Sequence, residues 1–198
     1  MIAKPLLSDL TPDNVVDKLE ALFTAIAGTS YLGEPVTIAE HMLQSAACAQ
    51  RDGADDALIA AALLHDVGYY VDPAPDNDNE MDLRKRHDLA AARILAPVLP
   101  AGVTEPIRLH ADAKRYLCAI EPDYYDKLSD ASKHTMRMQG GIMSADEAKA
   151  FANLPFCDDA VRLRRWDDEG KAPETAVPGF EAYRVMLETL ARDHTAPA

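Results

Sequence analysis

The sequence predicts an all-α helical bundle, and three observations support this prediction. Apolar residues recur at helical spacing through most of the 198 residues. Helix-capping signals stand in front of several of these segments. No segment shows the sustained alternation of apolar and polar residues that indicates a half-buried strand. We therefore expect one domain over residues 1–198, with its core at about residues 11–192.

Three helices are expected in the first third of the chain. The first starts at Thr11–Pro12 and ends at Gly28. The second starts at the capping box of Thr37 and Glu40, and the third is capped by Asp55 or Asp56 and ends near Gly68. The second helix holds His41 in its first turn. The third, over residues 57–65, is too apolar to be exposed, so we expect it to cross the core and to end at His65 and Asp66.

A polar, proline-rich segment at residues 72–82 is expected to be a surface loop. The later helices are expected as follows. One starts at His87 or just after it and reaches Leu95, one starts at Thr104 to Pro106, and one runs from Ser129 to Met138. The last three are marked by the capping box of Ser144 and Glu147, by Asp158 or Asp159, and by the apolar face of Tyr183, Met186, Leu187 and Leu190. The tail after His194 is expected to fray.

Composition excludes several classes of protein. The net charge of −13 argues against a nucleic-acid surface, because phosphate backbones are bound by clustered lysine and arginine. The three cysteines, Cys48, Cys118 and Cys157, form no CxxC motif, which argues against a thiolate zinc site and fits a reducing cytoplasm. No apolar run approaches 18 residues, so we expect a cytoplasmic protein with no membrane partner.

Side chains able to bind metal are distributed along the chain in an informative order. They are His41, the adjacent pair His65 and Asp66, His87, His110 and Asp167. Neutral imidazoles and carboxylates bind divalent iron, zinc and manganese alike, so the sequence does not name the metal. Six such ligands exceed the needs of one tetrahedral ion and suit two ions that share a bridging carboxylate. The sequence therefore predicts a dinuclear metal centre.

The order His, His-Asp, Asp and the string AALLHDVGYY resemble the HD-domain superfamily of metal-dependent hydrolases and oxygenases. His87 and His110 select its dinuclear branch. The segment from Tyr31 to Glu34 before His41, and the string LRRWDDEGK, resemble the mixed-valent di-iron oxygenases that cleave 1-hydroxyphosphonates, which are relatives of myo-inositol oxygenase. This resemblance extends from about residue 31 to residue 171 and implies two iron ions, Fe2+ and Fe3+.

The resemblance also implies which side chains bind each iron. One iron takes His41, His65, Asp66 and Asp167, and the other takes His87, His110 and the second oxygen of Asp66. Asp167 is preferred to Asp168 because the family's motif places the ligand just after the aromatic residue, which leaves Asp168 on the helix surface or beside the site.

The implied reaction is the oxygen-dependent cleavage of a carbon–phosphorus bond. In such enzymes Tyr31 and Glu34 would form a lid over the open iron, and Lys114, Ser132 and Arg164 would bind the phosphonate. Glu34 and Tyr69 are candidates to meet an ammonium group. We expect a histidine in place of Tyr69 in members that act on the primary amine and release glycine. The difference favours the trimethylammonio substrate, which yields glycine betaine and phosphate.

Other functions compete with this interpretation. An HD-family phosphohydrolase acting on a nucleotide or phosphoester could have almost the same ligands, but it has no need for a lid such as Tyr31 and Glu34. A non-catalytic HD module could lose its metal ligands, whereas this chain retains them all. A polyol oxygenase would have no reason to pair Lys114 with Arg164. His134 and His194 fit no ligand position, and the sequence leaves the oligomeric state open.

Overall fold

We describe a computed structural model of the chain over residues 7–31, 33–71 and 80–195. These residues form ten α-helices and two 3-10 helices. They are α1 (Val15–Ile26), α2 (Ile38–Arg51), α3 (Asp56–Leu64), η1 (Val67–Tyr70), α4 (Glu80–Leu95), α5 (Ala101–Ile120), α6 (Tyr124–Lys127), α7 (Asp130–Met138), α8 (Ala145–Ala152), α9 (Cys157–Glu169), η2 (Phe180–Tyr183) and α10 (Arg184–Thr195). Within the described ranges the only β-type pairing is an isolated bridge between Ser30 and Thr37. The prediction of an all-α fold is confirmed.

Helix α3 lies at the centre of the bundle, as predicted. Every side chain from Leu58 to Leu64 is buried. The helix packs against α2, α5 and α9, and its run of three alanines at residues 60–62 allows close approach of those neighbours. A helix surrounded on all sides needs no polar face, which explains why this segment is apolar throughout. Its C-terminal end therefore delivers His65 and Asp66 into the interior.

Local capping signals located three helix starts correctly, and helix α7 starts one residue later than predicted because Ser129 is its cap. Both capping boxes are present, Thr37 with Glu40 before α2 and Ser144 with Glu147 before α8. Asp55 caps α3 by accepting a hydrogen bond from the backbone N–H of Leu58, and Ser129 caps α7 through that of Ser132. These signals act within one helical turn, so they can be recognised in the sequence without knowledge of the tertiary structure.

Three predicted helix starts were wrong. Helix α1 begins at Val15, because the Asn14 side chain accepts a hydrogen bond from the Thr11 backbone N–H and holds residues 11–14 in a turn. Helix α5 begins at Ala101 rather than at Thr104, and Pro106 lies inside it near the N-terminal end. Helix α9 begins at Cys157 after Phe156, which has a left-handed backbone at φ 62°. Asp158 and Asp159 lie in its first turn, where their negative charges interact favourably with the positive end of the helix dipole.

The predicted loop at 72–82 is partly wrong, because residues 80–82 belong to α4; residues 72–79 lie outside the described residues. Helix α4 starts upstream of His87 and has a non-helical backbone at Arg86, so the turn that holds His87 is offset from the turns before it. Tyr183 lies in η2 rather than in the last helix. Most of the tail after His194 also falls outside the described residues. Over the part that is described, no helix combines the length and apolar character needed to cross a bilayer.

Candidate active site

Five helices bring the six predicted metal-binding side chains to one buried point. His41 comes from the first turn of α2, His65 and Asp66 from the end of α3, His87 from α4, His110 from α5 and Asp167 from α9. None of these residues is more than 5% exposed. Side chains that are 126 positions apart in sequence therefore share one site, in agreement with the predicted convergence.

The cluster divides into two groups that share Asp66. His41 Nε2 and His65 Nε2 lie 3.0 Å apart, and Asp66 Oδ2 is 3.6 Å from the first and 3.5 Å from the second. His87 Nε2 and His110 Nε2 also lie 3.0 Å apart, and Asp66 Oδ1 is 3.2 Å from His87 Nε2. Asp66 thus presents one carboxylate oxygen to each histidine pair, which is the arrangement of a bridging ligand.

Backbone carbonyls determine the tautomer of three of these histidines. The Nδ1 atom of His41 lies 2.9 Å from the Gly170 carbonyl oxygen, and that of His65 lies 2.9 Å from the Ala62 carbonyl oxygen. The Nδ1 atom of His110 lies 2.6 Å from the Ile107 carbonyl oxygen. A carbonyl can only accept, so each Nδ1 carries the proton and each Nε2 presents a lone pair. Carbonyl partners of this kind orient metal-binding histidines in general.

The cluster fits bound metal ions on two further grounds. Lone pairs 3.0 Å apart repel each other unless a cation accepts both, and His41 Nε2 faces His65 Nε2 at that distance. Asp66 Oδ2 and Asp167 Oδ1 are buried without a hydrogen-bond partner, although buried carboxylate oxygens are nearly always paired. Burial lowers the pKa of His65 and of His110, so both imidazoles remain in the neutral form that binds metal.

Asp167 and Asp168 have different environments. Asp167 Oδ1 lies 3.4 Å from His41 Nε2 and 4.0 Å from His65 Nε2, inside the cluster. Asp168 instead accepts hydrogen bonds from the guanidinium of Arg164 and from the hydroxyl of Tyr124. The carboxylate that follows the tryptophan directly is therefore the one that reaches the histidines.

The two predicted lid residues line the space beside the cluster. The ring of Tyr31 stacks on the His41 imidazole, with centroids 4.2 Å apart and planes 13° apart. Burial, together with the charges of Asp66 and Asp167, raises the pKa of the Tyr31 phenol well above its ordinary value, so it keeps its proton. Glu34 Oε1 accepts a hydrogen bond of 2.5 Å from the Ser129 hydroxyl.

A cavity above the cluster is lined by the other predicted substrate residues, Lys114, Ser132, Arg164 and Tyr69. Lys114 is 3% exposed and donates a hydrogen bond of 2.9 Å to Thr135 Oγ1. Burial, followed by the nearby Arg164 cation, lowers the pKa of Lys114 to about 7. The ring of Tyr69 stacks on the His87 imidazole at 4.3 Å and 9°, which mirrors the stacking of Tyr31 on His41.

The guanidinium of Arg164, which was predicted to bind the phosphonate, is engaged by two carboxylates. Its guanidinium is buried and donates to Asp167 through one terminal nitrogen and to Asp168 through the other. The second of these nitrogens also lies 3.5 Å from Ser132 Oγ. Much of the hydrogen-bonding capacity of Arg164 therefore serves to orient Asp167 and Asp168 beside the cavity.

Lys171 lines the same cavity and was missed as a site residue. Its Nζ lies 3.3 Å from Ser132 Oγ, 3.6 Å from Asp167 Oδ1 and 3.9 Å from Glu34 Oε1. A signal for it was present in the sequence, since Lys171 follows Asp167 by four residues just as Lys114 follows His110. Thr135, the partner of Lys114, gave no comparable signal, because a threonine on a helix is common.

The cavity has a volume of only about 20 Å³. That is room for about one water molecule and not for a phosphonate. Both predicted lid residues, Tyr31 and Glu34, line this small space.

Comparison with known proteins gives the site a chemical context. No family model matches the chain. The chain is 35% identical over 193 residues to the [1-hydroxy-2-(trimethylamino)ethyl]phosphonate dioxygenase (glycine-betaine-forming) of Leisingera caerulea. This alignment covers 98% of each of the two chains. It is 41% identical over 163 residues to the hydroxymethylphosphonate dioxygenase of Gimesia maris, which covers 82% of this chain and 81% of that one.

A third relative, an uncharacterised protein of Acanthamoeba polyphaga mimivirus, is 32% identical over 178 residues. The two relatives with functional names are both phosphonate dioxygenases, and each aligns with more than four fifths of this chain. The helical bundle and the buried cluster of histidines and aspartates are those that the resemblance to HD-domain oxygenases led us to expect. The chain belongs to the family of HD-domain phosphonate dioxygenases.

Proposed function

We propose that this enzyme uses two iron ions and dioxygen to cleave the carbon–phosphorus bond of (1-hydroxy-2-(trimethylammonio)ethyl)phosphonate. The products would be glycine betaine and phosphate. The observation that carries the proposal is the relative named for this reaction, which aligns with 98% of the chain. Carbon 1 is oxidised from an alcohol to a carboxylate, the carbon–phosphorus bond breaks, and both atoms of dioxygen are needed to balance the oxygen in the two products.

The side chains proposed to hold the irons follow from the two groups around Asp66. His41, His65, Asp167 and Asp66 Oδ2 would hold one iron, and His87, His110 and Asp66 Oδ1 would hold the other. When bound, the iron pair supplies the activation of dioxygen and of the substrate hydroxyl. The protein's own task is then to orient the phosphonate, to neutralise its charge and to exclude water.

Charged and polar groups on one wall of the cavity suit a phosphonate dianion. Lys114, Lys171 and the hydroxyl of Ser132 are proposed to bind its oxygens, with Arg164 keeping Asp167 in place beside them. Cationic donors form stronger hydrogen bonds to anionic oxygens than neutral donors do. Tyr31 retains its proton, so its hydroxyl can donate to an anionic oxygen after the lid moves.

Two other residues that line the cavity are proposed to meet the trimethylammonio group. Such a group has no N–H donor, and it is recognised through aromatic faces and nearby negative charge. Tyr69 and Glu34 both line the cavity and offer these two features. Hydroxymethylphosphonate, named for the second relative, has no carbon 2 and would make neither of these two contacts.

A panel of three substrates tests the proposal. Purified, iron-loaded enzyme is given the trimethylammonio compound, its primary-amine analogue or hydroxymethylphosphonate, and oxygen uptake and phosphate release are followed together. We expect the highest kcat/KM for the trimethylammonio compound, equimolar oxygen and phosphate, and a mixed-valent paramagnetic signal. Phosphate release without oxygen uptake would instead support the hydrolase, which the names of the relatives do not favour.

Replacing Tyr69 tests the ammonium contact. We expect Tyr69→Ala to lower kcat/KM for the trimethylammonio substrate by about 2- to 30-fold, because a cation–π contact contributes about 0.5–2 kcal/mol. Hydroxymethylphosphonate is the matched control, since it carries no cation. Tyr69→Phe keeps the aromatic face and should retain most of the activity. Equal losses for both substrates in Tyr69→Ala would remove the support for this contact.

A further inference from the structure

Glu34 separates two spaces of very different size. On its inner side lies the cavity of about 20 Å³ above the cluster. On its outer side lies a groove of about 550 Å³ formed by the turn at Gly33 and Glu34 and by helix α7 with its cap Ser129. Glu34, Ala131 and Thr135 line both spaces. The outer groove has room for a small molecule, whereas the inner cavity has not.

A single side chain, Ser129, joins Glu34 to helix α7. Its Oγ accepts a hydrogen bond of 3.1 Å from the Ser132 backbone N–H, which caps the helix. Its hydroxyl proton is donated to Glu34 Oε1 at 2.5 Å. A serine hydroxyl has one proton to donate, so this contact uses its whole donor capacity. Lys171 Nζ, 3.9 Å from the same oxygen, adds a second and longer contact.

We propose that Ser129 is a positioning residue that holds Glu34 closed over the metal cavity, and that the outer groove is the vestibule through which the phosphonate arrives. The inference rests on the proposed function, since it concerns access of a phosphonate to the inner cavity. Breaking the contact between Ser129 and Glu34 lets the Glu34 side chain turn into the groove, which already has the volume to receive it. Movement of that one side chain would remove part of the wall between the two spaces.

Three substitutions separate the cap from the contact with Glu34. Ser129→Asp keeps an N-cap acceptor but has no proton to donate and repels the Glu34 carboxylate. Ser129→Ala loses both roles. Ser129→Thr keeps both, because threonine retains the hydroxyl. If Ser129 served only as a cap, the aspartate variant would behave like the wild type.

Amide hydrogen exchange of metal-loaded protein, without substrate, provides the first readout. The reporters are two amides of the lid turn, since Tyr31 N–H bonds to the Val36 carbonyl and Glu34 N–H to the Tyr31 carbonyl. We expect exchange of these amides to rise by about tenfold or more in Ser129→Asp and Ser129→Ala, because a hydrogen bond to a charged group is lost. Ser129→Thr should stay close to the wild type. Unchanged exchange in Ser129→Asp would overturn the proposal.

Substrate kinetics provide the second readout. When only a fraction of the enzyme is open to substrate, the apparent affinity is reduced by that fraction. Ser129→Ala should therefore lower the KM for hydroxymethylphosphonate several-fold, since that substrate has no ammonium group for Glu34 to contact, and Ser129→Thr should restore it. A KM for Ser129→Ala at or above the wild-type value would contradict the proposed route. Absence of turnover with every phosphonate would instead refute the proposed function, while the exchange comparison would still report on Ser129.

Discussion

Backbone carbonyls set the tautomer and the orientation of individual histidines in this site. The Gly170 carbonyl accepts a hydrogen bond from His41 Nδ1. Gly170 directly follows α9, the helix that carries Asp167. One short segment thus supplies a carboxylate proposed to bind metal and orients the histidine opposite it. The absence of a side chain at Gly170 is what permits this approach, because an added Cβ would lie 2.5 Å from Ser45 Oγ and 2.9 Å from the Ser45 nitrogen.

We predict that Gly170→Ala weakens metal binding at the His41 and His65 side of the cluster. The new methyl group must push the 170 segment away from α2, which withdraws the carbonyl from His41. Loss of such an orienting contact typically costs about 10–100-fold in metal affinity. Metal titration against a competing chelator measures the loss. Gly28→Ala is the matched control, because its added Cβ meets nothing within 4 Å and should leave affinity unchanged.

Lys114 gives the site a dependence on pH. Its pKa of about 7 lies far below the ordinary value of lysine, so the cation is present below about pH 7 and is lost above it. A phosphonate that needs this cation should be processed with a kcat/KM that falls as pH rises through 7.

Lys114→Arg isolates this effect, because arginine does not deprotonate in this range. Ionisation of the substrate is common to both enzymes and cancels when their kcat/KM values are divided. We predict that the ratio of variant to wild type is constant below about pH 7 and then rises by about tenfold per pH unit. Profiles collected from pH 6 to 9 measure it, and a flat ratio would show that the proton on Lys114 does not control activity.

At the scale of helices, the end of α3 delivers two of the proposed metal ligands. His65 and Asp66 stand where α3 gives way to η1, and the next turn packs tightly on α4. Gly68 makes this contact possible: an added Cβ would lie 1.9 Å from the His87 carbonyl oxygen and 2.8 Å from the Ala91 nitrogen. Backbone atoms cannot move aside as a flexible side chain can, so any substitution here must displace α4.

Gly68→Ala should therefore weaken metal binding by His87 and His110 more than by His41 and His65. We predict that bound metal falls from two ions per chain toward one, since displacement of α4 moves His87 while His41 and His65 remain on α2 and α3. Overpacking of this kind destabilises by about 1–3 kcal/mol. Elemental analysis and thermal unfolding measure the two effects. Gly170→Ala provides the reciprocal comparison, because it perturbs the His41 side, and identical patterns of loss in both variants would argue against two separable positions.

What the sequence could predict depends on the range of the interaction. Caps such as Thr37 and Asp55 act within one turn, and the start of α2 and of α3 followed from them directly. The start of α1 did not, because the Asn14 side chain closes a turn that competes with the helix. The six proposed ligands were chosen from their order along the chain and from the resemblance to a family, and the structure brings them together from five helices.

The environment of Arg164 lay beyond such reasoning. Its guanidinium is engaged by Asp167 and Asp168 three and four residues later, while Ser132 and Tyr124 approach from other helices. Spacing could indicate the first two contacts but not that they would occupy most of the donors. Lys171 lies just after Gly170 has ended the helix, so its spacing of four residues from Asp167 did not by itself show that it shares the cavity.

At the scale of the whole molecule, an acidic protein contains a locally cationic cavity. The chain has 33 acidic and 20 basic residues, yet Lys114, Arg164 and Lys171 line the same small space. Asp66 and Asp167 lie beneath them with oxygens that have no hydrogen-bond partner. Bound cations would compensate these buried carboxylates and join α2, α3, α4, α5 and α9 at one point. The metal centre should therefore stabilise the fold as well as serve the reaction.

Removal of metal tests this last point. A ligand present at 1,000 times its dissociation constant stabilises the folded state by about 4 kcal/mol. For a chain of this size about 1 kcal/mol corresponds to about 2–4 °C, so we predict that a chelator lowers the Tm by about 8–16 °C. Asp66→Ala, which removes the ligand common to both groups, should bind little metal and should unfold at a temperature that a chelator does not change. Tyr31→Phe, which retains all six ligands, should respond to the chelator as the wild type does. A chelator-sensitive Tm in Asp66→Ala would mean that the stabilising ions bind elsewhere in the chain.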